Sequence, residues 1–185
     1  MELGWVAGKR WDLNEKDYFE MCVRKTSWYT VAGPCRLGAI VAGAPAGVLK
    51  NLQEFGIDLG VAFQIQDDSL NLVGDATKYG KAKSDDILEG KRTLILLHLL
   101  AVASQSERDK VVAIMNKDRS AKTSADVSYV LSLVEKYDAI GFARKRAAEL
   151  LKQALATLRR IRWTGDKEAA AMLTAYARFT VEREW

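Results

Sequence analysis

Cysteine, proline and histidine are scarce in this chain of 185 residues. The two cysteines, Cys22 and Cys35, form no CxxC pair and offer no metal-ligand spacing. A metal-binding cysteine cluster is therefore not expected, and a reducing cytoplasm is the default location. The one histidine, His98, stands in an apolar run and is interpreted as a packing or interface residue rather than a catalyst.

Long hydrophobic segments are lacking as well. Residues 1–11 carry charges and have no apolar core of the signal-peptide kind. The longest uncharged runs, residues 37–49 and 94–106, are too short to cross a bilayer. We therefore expect no membrane span and interpret both runs as buried helices.

The excess of positive charge is modest, with a net charge of +4. The basic residues are densest toward the C-terminus, where no aromatic side chains alternate with them as a base-stacking surface requires. That basic run is interpreted as a solvated helix face, so no nucleic-acid partner is expected. An all-α protein that binds phosphate backbones weakly, with steep salt dependence, is the remote alternative.

Helical patterns, by contrast, run through the whole sequence, and no alternating strand pattern appears. Asn14 is a candidate N-cap, Gly33-Pro34 predicts a break or kink, and Pro45 suits the first turn of a long helix. Helices are predicted over residues 15–32, 35–43, 45–72, 93–103, 107–116, 124–136, 138–160 and 167–183. The predicted fold is an all-α helical bundle that forms one domain over residues 1–185.

The segment from Phe63 to Asp75 holds the most informative polar pattern. Gln64, Asp67, Asp68 and Asn71 follow one another at offsets of three and four, which brings them to one face of a helix. Adjacent carboxylates on an otherwise apolar helix are costly to bury without a counter-charge. Mg²⁺ provides one, since it binds one or two carboxylates and fills its other positions with water and phosphate oxygens. An isolated Asp-Asp pair would more often be a solvated helix end.

Lysines on both sides of this pair change that balance. Lys25 lies upstream, and Lys78, Lys81 and Lys91 lie downstream. Ammonium groups around a metal-binding carboxylate pair neutralise the phosphate charge that the metal leaves. The pattern therefore predicts a receptor for a diphosphate.

In this order the motifs resemble those of the trans-isoprenyl diphosphate synthases, or polyprenyl synthetases. That family carries a Lys-Thr pair, then FQxxDDxLDxxxD, a Gly-Lys loop and D-x-x-E-G-K-x-T. This chain reads Lys25-Thr26, Phe63 to Asp75, Gly80-Lys81 and Asp86 to Thr93. The resemblance covers essentially the whole chain and is to the C-terminal half of the family, with geranylgeranyl diphosphate synthases the most similar group.

The resemblance implies an isoprenoid-synthase type helical fold with a central active-site cavity. Asp67 would coordinate Mg²⁺ on the diphosphate of an allylic substrate, and Asp68 would support that metal site. Lys25 and Lys81 would contact the same diphosphate, and Lys91 would lie near the phosphates or support the loop.

The implied reaction is ionisation of the allylic diphosphate, attack by isopentenyl diphosphate and loss of a proton. Thr26 and Gln64 would line the region where the allylic cation forms, and the catalytic residues implied are Lys25, Thr26, Gln64 and Lys81. Metal ions would stabilise the leaving diphosphate.

Asn71 stands where the common family motif has its third Asp. Asparagine keeps an oxygen acceptor but loses the charge, which weakens the expectation that Asn71 ligates the metal. Geranylgeranyl diphosphate synthases of several lineages often carry Asn at this position, so the resemblance favours a product of twenty carbons.

The family's earlier DDxxD motif has no counterpart before Lys25, and the helices that carry it are expected to be absent. Three readings follow: a truncated sequence of an ordinary synthase, a short subunit that completes its site with a partner, or a non-catalytic or regulatory subunit. Apolar faces around residues 37–49 and 94–101 would then be exposed. We expect a homo- or hetero-oligomer, or an aggregation-prone chain.

Overall fold

The computed structural model describes residues 1–73, 84–164 and 167–183, and the regular elements in these ranges are all helical. The predicted all-α fold class is thereby confirmed. The elements are α1 Glu2–Ala7, α2 Glu15–Cys22, a π-helix Val23–Ala32, α3 Gly33–Val41, α4 Ala46–Val73, α5 Asp85–Glu89, α6 Leu94–Val102, α7 Gln105–Met115, a 3₁₀ turn Arg119–Ala121, α8 Ser124–Lys136, α9 Ala139–Arg159 and α10 Lys167–Glu182.

Local capping explains where several helices begin. The Asn14 carboxamide oxygen accepts hydrogen bonds from the Lys16 amide at 2.8 Å and the Asp17 amide at 3.3 Å. Ser104 and Thr123 each form a reciprocal capping box at the start of α7 and α8. These side chains satisfy amide groups that a first helical turn leaves unpaired, so the sequence signals for the helix starts are local ones.

The predicted helix over residues 15–32 is in fact two elements. It changes from α to π geometry at Val23 and keeps the π form through Ala32. α3 follows, and Pro34 occupies its first turn, where a missing amide proton costs little. The expectation that residues 37–49 are buried is wrong for α3, because no residue of α3 is buried.

α6, unlike α3, is mostly buried. Its residues Leu94, Ile95 and Leu99 are at most 2% exposed, and the helix packs against α7 and α8. The prediction that residues 94–101 form a buried helix is confirmed for most of the run, and the exposed apolar face expected there is absent. The His98 ring stacks on Phe142 at a centroid distance of 3.8 Å, and burial lowers the pKa of His98.

The chain divides into two compact units. Of the described residues, the first comprises 1–21, 67–73 and 84–144, and Tyr18, Ile87 and Ile95 are among its buried residues. The second comprises 22–66, 145–164 and 167–183, and its core includes Phe55 and Leu59 of α4. The long helix α4 therefore contributes its first part to the second unit and its last turns to the first.

One side of α4 is apolar and mostly buried. Leu52, Phe55, Leu59 and Leu70 are buried, whereas Phe63 is half-buried. Among the residues that the structure describes, no helix is both long and apolar enough to span a membrane.

Candidate functional site

The last turns of α4 bring two carboxylates into the first unit. Asp67 is half-buried, whereas Asp68 is only 6% exposed. The hydroxyl of Tyr18, itself buried on α2, donates a hydrogen bond of 2.7 Å to Asp68 Oδ2. A neutral donor of this kind orients the Asp68 carboxylate without cancelling its charge.

Asn71, one turn further along α4, is bonded to the segment that precedes and begins α5. Its side-chain oxygen accepts a hydrogen bond of 3.0 Å from the Asp86 amide, and its backbone carbonyl accepts one of 2.9 Å from the Ser84 amide. Asn71 is 4% exposed. The side-chain oxygen and the backbone carbonyl of Asn71 therefore both hold the start of α5 against the end of α4.

A third carboxylate, Asp86, is attached to the same end of α4 through this hydrogen bond and lies within electrostatic reach of Asp67. Burial raises the pKa of Asp86, the hydrogen bond from Lys91 offsets part of that rise, and the charges of Glu89 and Asp67 add to it. The contribution from Asp67 indicates that the two carboxylates repel each other. The first unit thus concentrates negative charge at the C-terminal end of α4.

Lys91 is the cation that faces Asp86. Its ammonium lies 2.5 Å from Asp86 Oδ1 and 3.2 Å from Glu89 Oε2. Burial alone lowers the pKa of Lys91, but the hydrogen bonds and charges of Asp86 and Glu89 outweigh it and raise the pKa above its usual value. Of the two roles the resemblance offers for Lys91, this geometry fits support of the segment that carries Asp86.

Arg92 also holds the segment from Asp86 to Thr93, through hydrogen bonds to backbone carbonyls and to a side chain. It is 1% exposed, and its guanidinium stacks on the Trp11 ring at 3.9 Å. It donates hydrogen bonds to the carbonyls of Arg10 and Gly90 and to the side chain of Asn116. Desolvation lowers the pKa of Arg92 to about 10.

The second unit contains the Lys25-Thr26 motif, which lies on the π-helix. The Thr26 hydroxyl donates a hydrogen bond of 2.8 Å to Gln64 Oε1 on α4. Thr26 is 8% exposed, whereas Lys25 is exposed. The structure therefore brings the predicted pair Thr26 and Gln64 into direct contact.

Several predicted site residues fall outside the described ranges. Lys81, the Gly80-Lys81 loop and Lys78 belong to residues 74–83. Sequence reasoning also missed two residues that the structure connects to the site, Tyr18 and Arg92. Arg92 lies inside the D-x-x-E-G-K-x-T segment at its unspecified position, and Tyr18 carries no sequence signal beyond its place on a helix.

The motif implies a metal ion, and the side chains that could bind it are the carboxylates near the end of α4. No group of three or more His, Cys, Asp or Glu side chains in residues 1–73, 84–164 and 167–183 is arranged to hold a metal ion. Mg²⁺ needs fewer protein ligands, since it binds one or two carboxylates and completes its octahedron with waters and phosphate oxygens. Asp67 and Asp68 offer the number of carboxylates that Mg²⁺ takes from a protein.

Comparison with known proteins assigns this arrangement to a family. A family model described as polyprenyl synthetase matches residues 1–134. The chain belongs to the polyprenyl synthetase family. The matched range includes Lys25-Thr26, the α4 carboxylates and the segment from Asp86 to Thr93.

Individual polyprenyl synthetases agree with this assignment. The chain is 32% identical over 176 residues to a short chain isoprenyl diphosphate synthase of Methanothermobacter thermautotrophicus, covering 95% of this chain and 52% of that protein. It is 35% identical over 132 residues to heptaprenyl diphosphate synthase component 2 of Geobacillus stearothermophilus, covering 71% of this chain and 39% of that protein.

A solved polyprenyl synthetase shares the helical fold. The crystal structure of geranylgeranyl pyrophosphate synthase from Corynebacterium glutamicum, complexed with isoprenyl diphosphate and magnesium, matches with a TM-score of 0.88 and 29% sequence identity. The match covers 98% of this chain and 50% of that one. The chain thus spans about half the length of the polyprenyl synthetases it matches.

Proposed function

We propose that this chain binds the diphosphate group of an allylic substrate through Mg²⁺ held by Asp67 and Asp68. The observation that carries the proposal is the negative charge gathered at the C-terminal end of α4. There Asp67 and Asp68 are consecutive, and the Asp86 amide is bonded to Asn71 one turn further along. Burial raises the pKa of Asp86 against the opposing effect of Lys91, and the charges of Glu89 and Asp67 add a little repulsion. A divalent cation offsets such repulsion, and a bound diphosphate supplies its remaining oxygen ligands.

The reaction proposed for the complete protein is condensation of the allylic diphosphate with isopentenyl diphosphate, with geranylgeranyl diphosphate as product. Membership of the polyprenyl synthetase family and the likeness to a geranylgeranyl pyrophosphate synthase support this reaction. Mg²⁺, when bound, supplies Lewis-acid stabilisation of the departing diphosphate.

The protein's own residues would bind and orient the substrate. Lys25 and Lys81 would neutralise the diphosphate oxygens that the metal leaves. The hydrogen-bonded pair Thr26 and Gln64 would present fixed oxygen dipoles to the developing allylic cation, which is electrostatic preorganisation. Lys91 would hold Asp86, and through it α5, in place.

A second candidate function is that of a subunit that completes a synthase together with a partner chain, with or without a catalytic role of its own. The similarity to a relative named component 2 of heptaprenyl diphosphate synthase favours it. Diphosphate binding without product formation would be the sign of this function.

The test is calorimetric titration of the purified chain with farnesyl diphosphate, with Mg²⁺ and with a chelator. Asp67→Ala is expected to raise the Kd by at least about tenfold, as loss of metal-site residues commonly does. Asp109→Ala, which removes an exposed carboxylate on α7, is the matched control and should bind as the parent does.

Incubation of the same samples with labelled isopentenyl diphosphate separates the two candidates. Elongated product would establish the transferase in this chain alone. Mg²⁺-dependent binding without product would favour the subunit. A folded chain that binds no farnesyl diphosphate with Mg²⁺ would contradict the diphosphate site and leave only a subunit without a substrate site of its own.

A further inference from the structure

The π-helix Val23–Ala32 is unusually long for its kind. π geometry occurs mostly as a single turn inserted into an α-helix and often lies at functional sites. Here it extends over 10 residues and carries the Lys25-Thr26 pair. Because so long a π segment is rare, we look to neighbouring elements for the contacts that hold it in this geometry.

Two glycines on α4 provide those contacts in the second unit. A Cβ atom at Gly60 would lie 2.5 Å from Ser27 Oγ and 2.6 Å from Ser27 Cβ, with Ser27 Cα nearer still. A Cβ atom at Gly56 would lie 2.6 Å from the Ala32 amide nitrogen and 2.9 Å from its Cβ. These separations are well below van der Waals contact, so the π-helix backbone lies directly against the bare faces of both glycines.

The positions of these glycines relate them to the candidate site. Gly56, Gly60 and Gln64 are spaced four residues apart and therefore follow one face of α4. Thr26 precedes Ser27 on the π-helix, and its hydroxyl reaches Gln64 one turn beyond Gly60. The contact between Ser27 and Gly60 is therefore the neighbour, on both helices, of the Thr26–Gln64 hydrogen bond.

We propose that Gly60, with Gly56, is a positioning residue that sets the separation of the π-helix from α4 and so forms the Thr26–Gln64 hydrogen bond. Any side chain at Gly60 displaces the π-helix backbone, because the nearest atoms include Ser27 Cα as well as the Ser27 side chain. The hydrogen bond is sensitive to such a displacement, since its energy falls steeply when donor and acceptor separate or tilt. The relevance to ligand binding rests on the proposed function.

The substitution that tests this is Gly60→Ala, with Gly47→Ala as the matched control. Gly47 lies on the same helix, and a Cβ there would meet no atom within 4 Å. Both changes raise helix propensity, and the gain is the larger at Gly60 because Gly47 lies in the first turn of α4. Any loss seen in Gly60→Ala and not in Gly47→Ala therefore reports the contact with the π-helix.

The first measurement is independent of any ligand. Thr26→Val and Gln64→Leu, singly and together, form a double-mutant cycle in urea denaturation. In the parent and in Gly47→Ala, the cycle is expected to give a coupling of about fivefold in the unfolding equilibrium constant, as for one hydrogen bond. In Gly60→Ala the coupling is expected to vanish. Full coupling in a folded Gly60→Ala protein would overturn the proposal.

Gly56→Ala replaces Gly60→Ala if the latter does not fold. Its contact is with Ala32 at the far end of the π-helix, so it displaces the same segment from a position farther from Gln64. We expect a reduced Thr26–Gln64 coupling in Gly56→Ala. Coupling equal to that of Gly47→Ala would contradict the positioning role.

The second measurement is farnesyl diphosphate affinity in the presence of Mg²⁺. Gly60→Ala and Thr26→Val are each expected to raise the Kd by about tenfold, and together by no more than either alone, as for residues that act as a unit. Parent affinity in a Gly60→Ala protein that has lost its coupling would overturn the role in the site. If the parent itself does not bind, the proposed function fails, while the denaturation cycle still decides the positioning proposal.

Discussion

Asp58 is a half-buried carboxylate on α4 that no motif marks. Burial, and secondarily the charge of Glu54, raises the pKa of Asp58 to about 6. It lines a cavity of 410 Å³ in the second unit together with Glu54, Gln153, Thr157 and Arg160. A carboxyl group whose pKa is higher in the folded than in the unfolded state opposes folding wherever it is ionised.

Asp58→Asn is therefore expected to stabilise the protein at pH 8. The destabilisation by the charge is complete above pH 6 and disappears as the pH falls from about 6 toward the unfolded pKa near 4. After allowance for solvent screening of a half-buried group, the expected gain in unfolding free energy at pH 8 is about 1 kcal/mol. Urea denaturation at pH 8 and pH 4 measures it, and no gain should be found at pH 4.

Asp126 provides a comparison of opposite sign. A hydrogen bond from Lys117, with further bonds from Thr123, lowers the pKa of Asp126 to about 2. This carboxylate stabilises the fold above the unfolded pKa and loses that effect as the pH falls toward 2, so Asp126→Asn should destabilise the protein at pH 8. If Asp58→Asn and Asp126→Asn changed stability in the same direction, the electrostatic assignment would be wrong.

At the scale of elements, the segment from α5 to Thr93 depends on buried donors rather than on apolar packing alone. Arg92 makes no ion pair within the part of the chain that the structure describes, and its hydrogen bonds go to two carbonyls and to Asn116. Lys122 adds hydrogen bonds of 2.9 Å to the Leu88 carbonyl and 2.7 Å to the Lys117 carbonyl. Cationic donors on carbonyls at a helix C-terminus are favourable because of the helix dipole.

Arg92→Met is expected to lower the unfolding free energy by about 2 to 3 kcal/mol, because it leaves buried acceptors without donors. Urea denaturation provides the value. The control is Arg119→Met, which removes an exposed arginine whose guanidinium lies 2.6 Å from Asp85. Exposed ion pairs contribute at most about 1 kcal/mol, so the control should change little. Equal losses of unfolding free energy in the two variants would show that the buried hydrogen bonds of Arg92 make no net contribution to stability.

The sequence predicted the boundaries of several helices well, but it predicted neither the π geometry nor the exposure of α3. Helices with capping residues and strong periodicity, such as α8 and α9, were predicted to within a residue or two. The change to π geometry at Val23 was not, because π and α segments of similar composition differ only in how the backbone is held by its neighbours. For α3, an apolar sequence indicated burial but could not identify which element would provide it.

The candidate site divides in the same way. Asp67, Asp68 and Gln64 were singled out by their spacing on one helix face, because metal and phosphate chemistry restricts residue type, and Thr26 by the family resemblance. The missing charge of Asn71 already argued against metal ligation. The hydrogen bond that its side-chain oxygen accepts from the Asp86 amide is visible only in the structure. Tyr18 reaches Asp68 across 50 residues of sequence, a separation for which no local pattern exists.

At the scale of the whole molecule, an exposed apolar surface on α3 predicts association. Leu37 is 63% exposed, Ile40 53% and Val41 89%. Leu37 and Val41 are four residues apart and Ile40 lies between them, so the three share one side of the helix. Contiguous exposed apolar surface is a common mark of an interaction site or an aggregation liability.

We therefore expect the purified chain to form oligomers or larger aggregates, and the double substitution Leu37→Lys/Val41→Lys to shift it toward the monomer. Charged side chains at these two positions oppose desolvation of the α3 surface without touching a buried residue. Sedimentation velocity over a tenfold or wider concentration range measures the shift. Leu3→Lys replaces an 86% exposed apolar residue on α1 and is the control, expected to sediment as the parent does. A parent that sediments as a monomer at every concentration, or a double variant that associates as strongly as the parent, would exclude α3 as the associating surface.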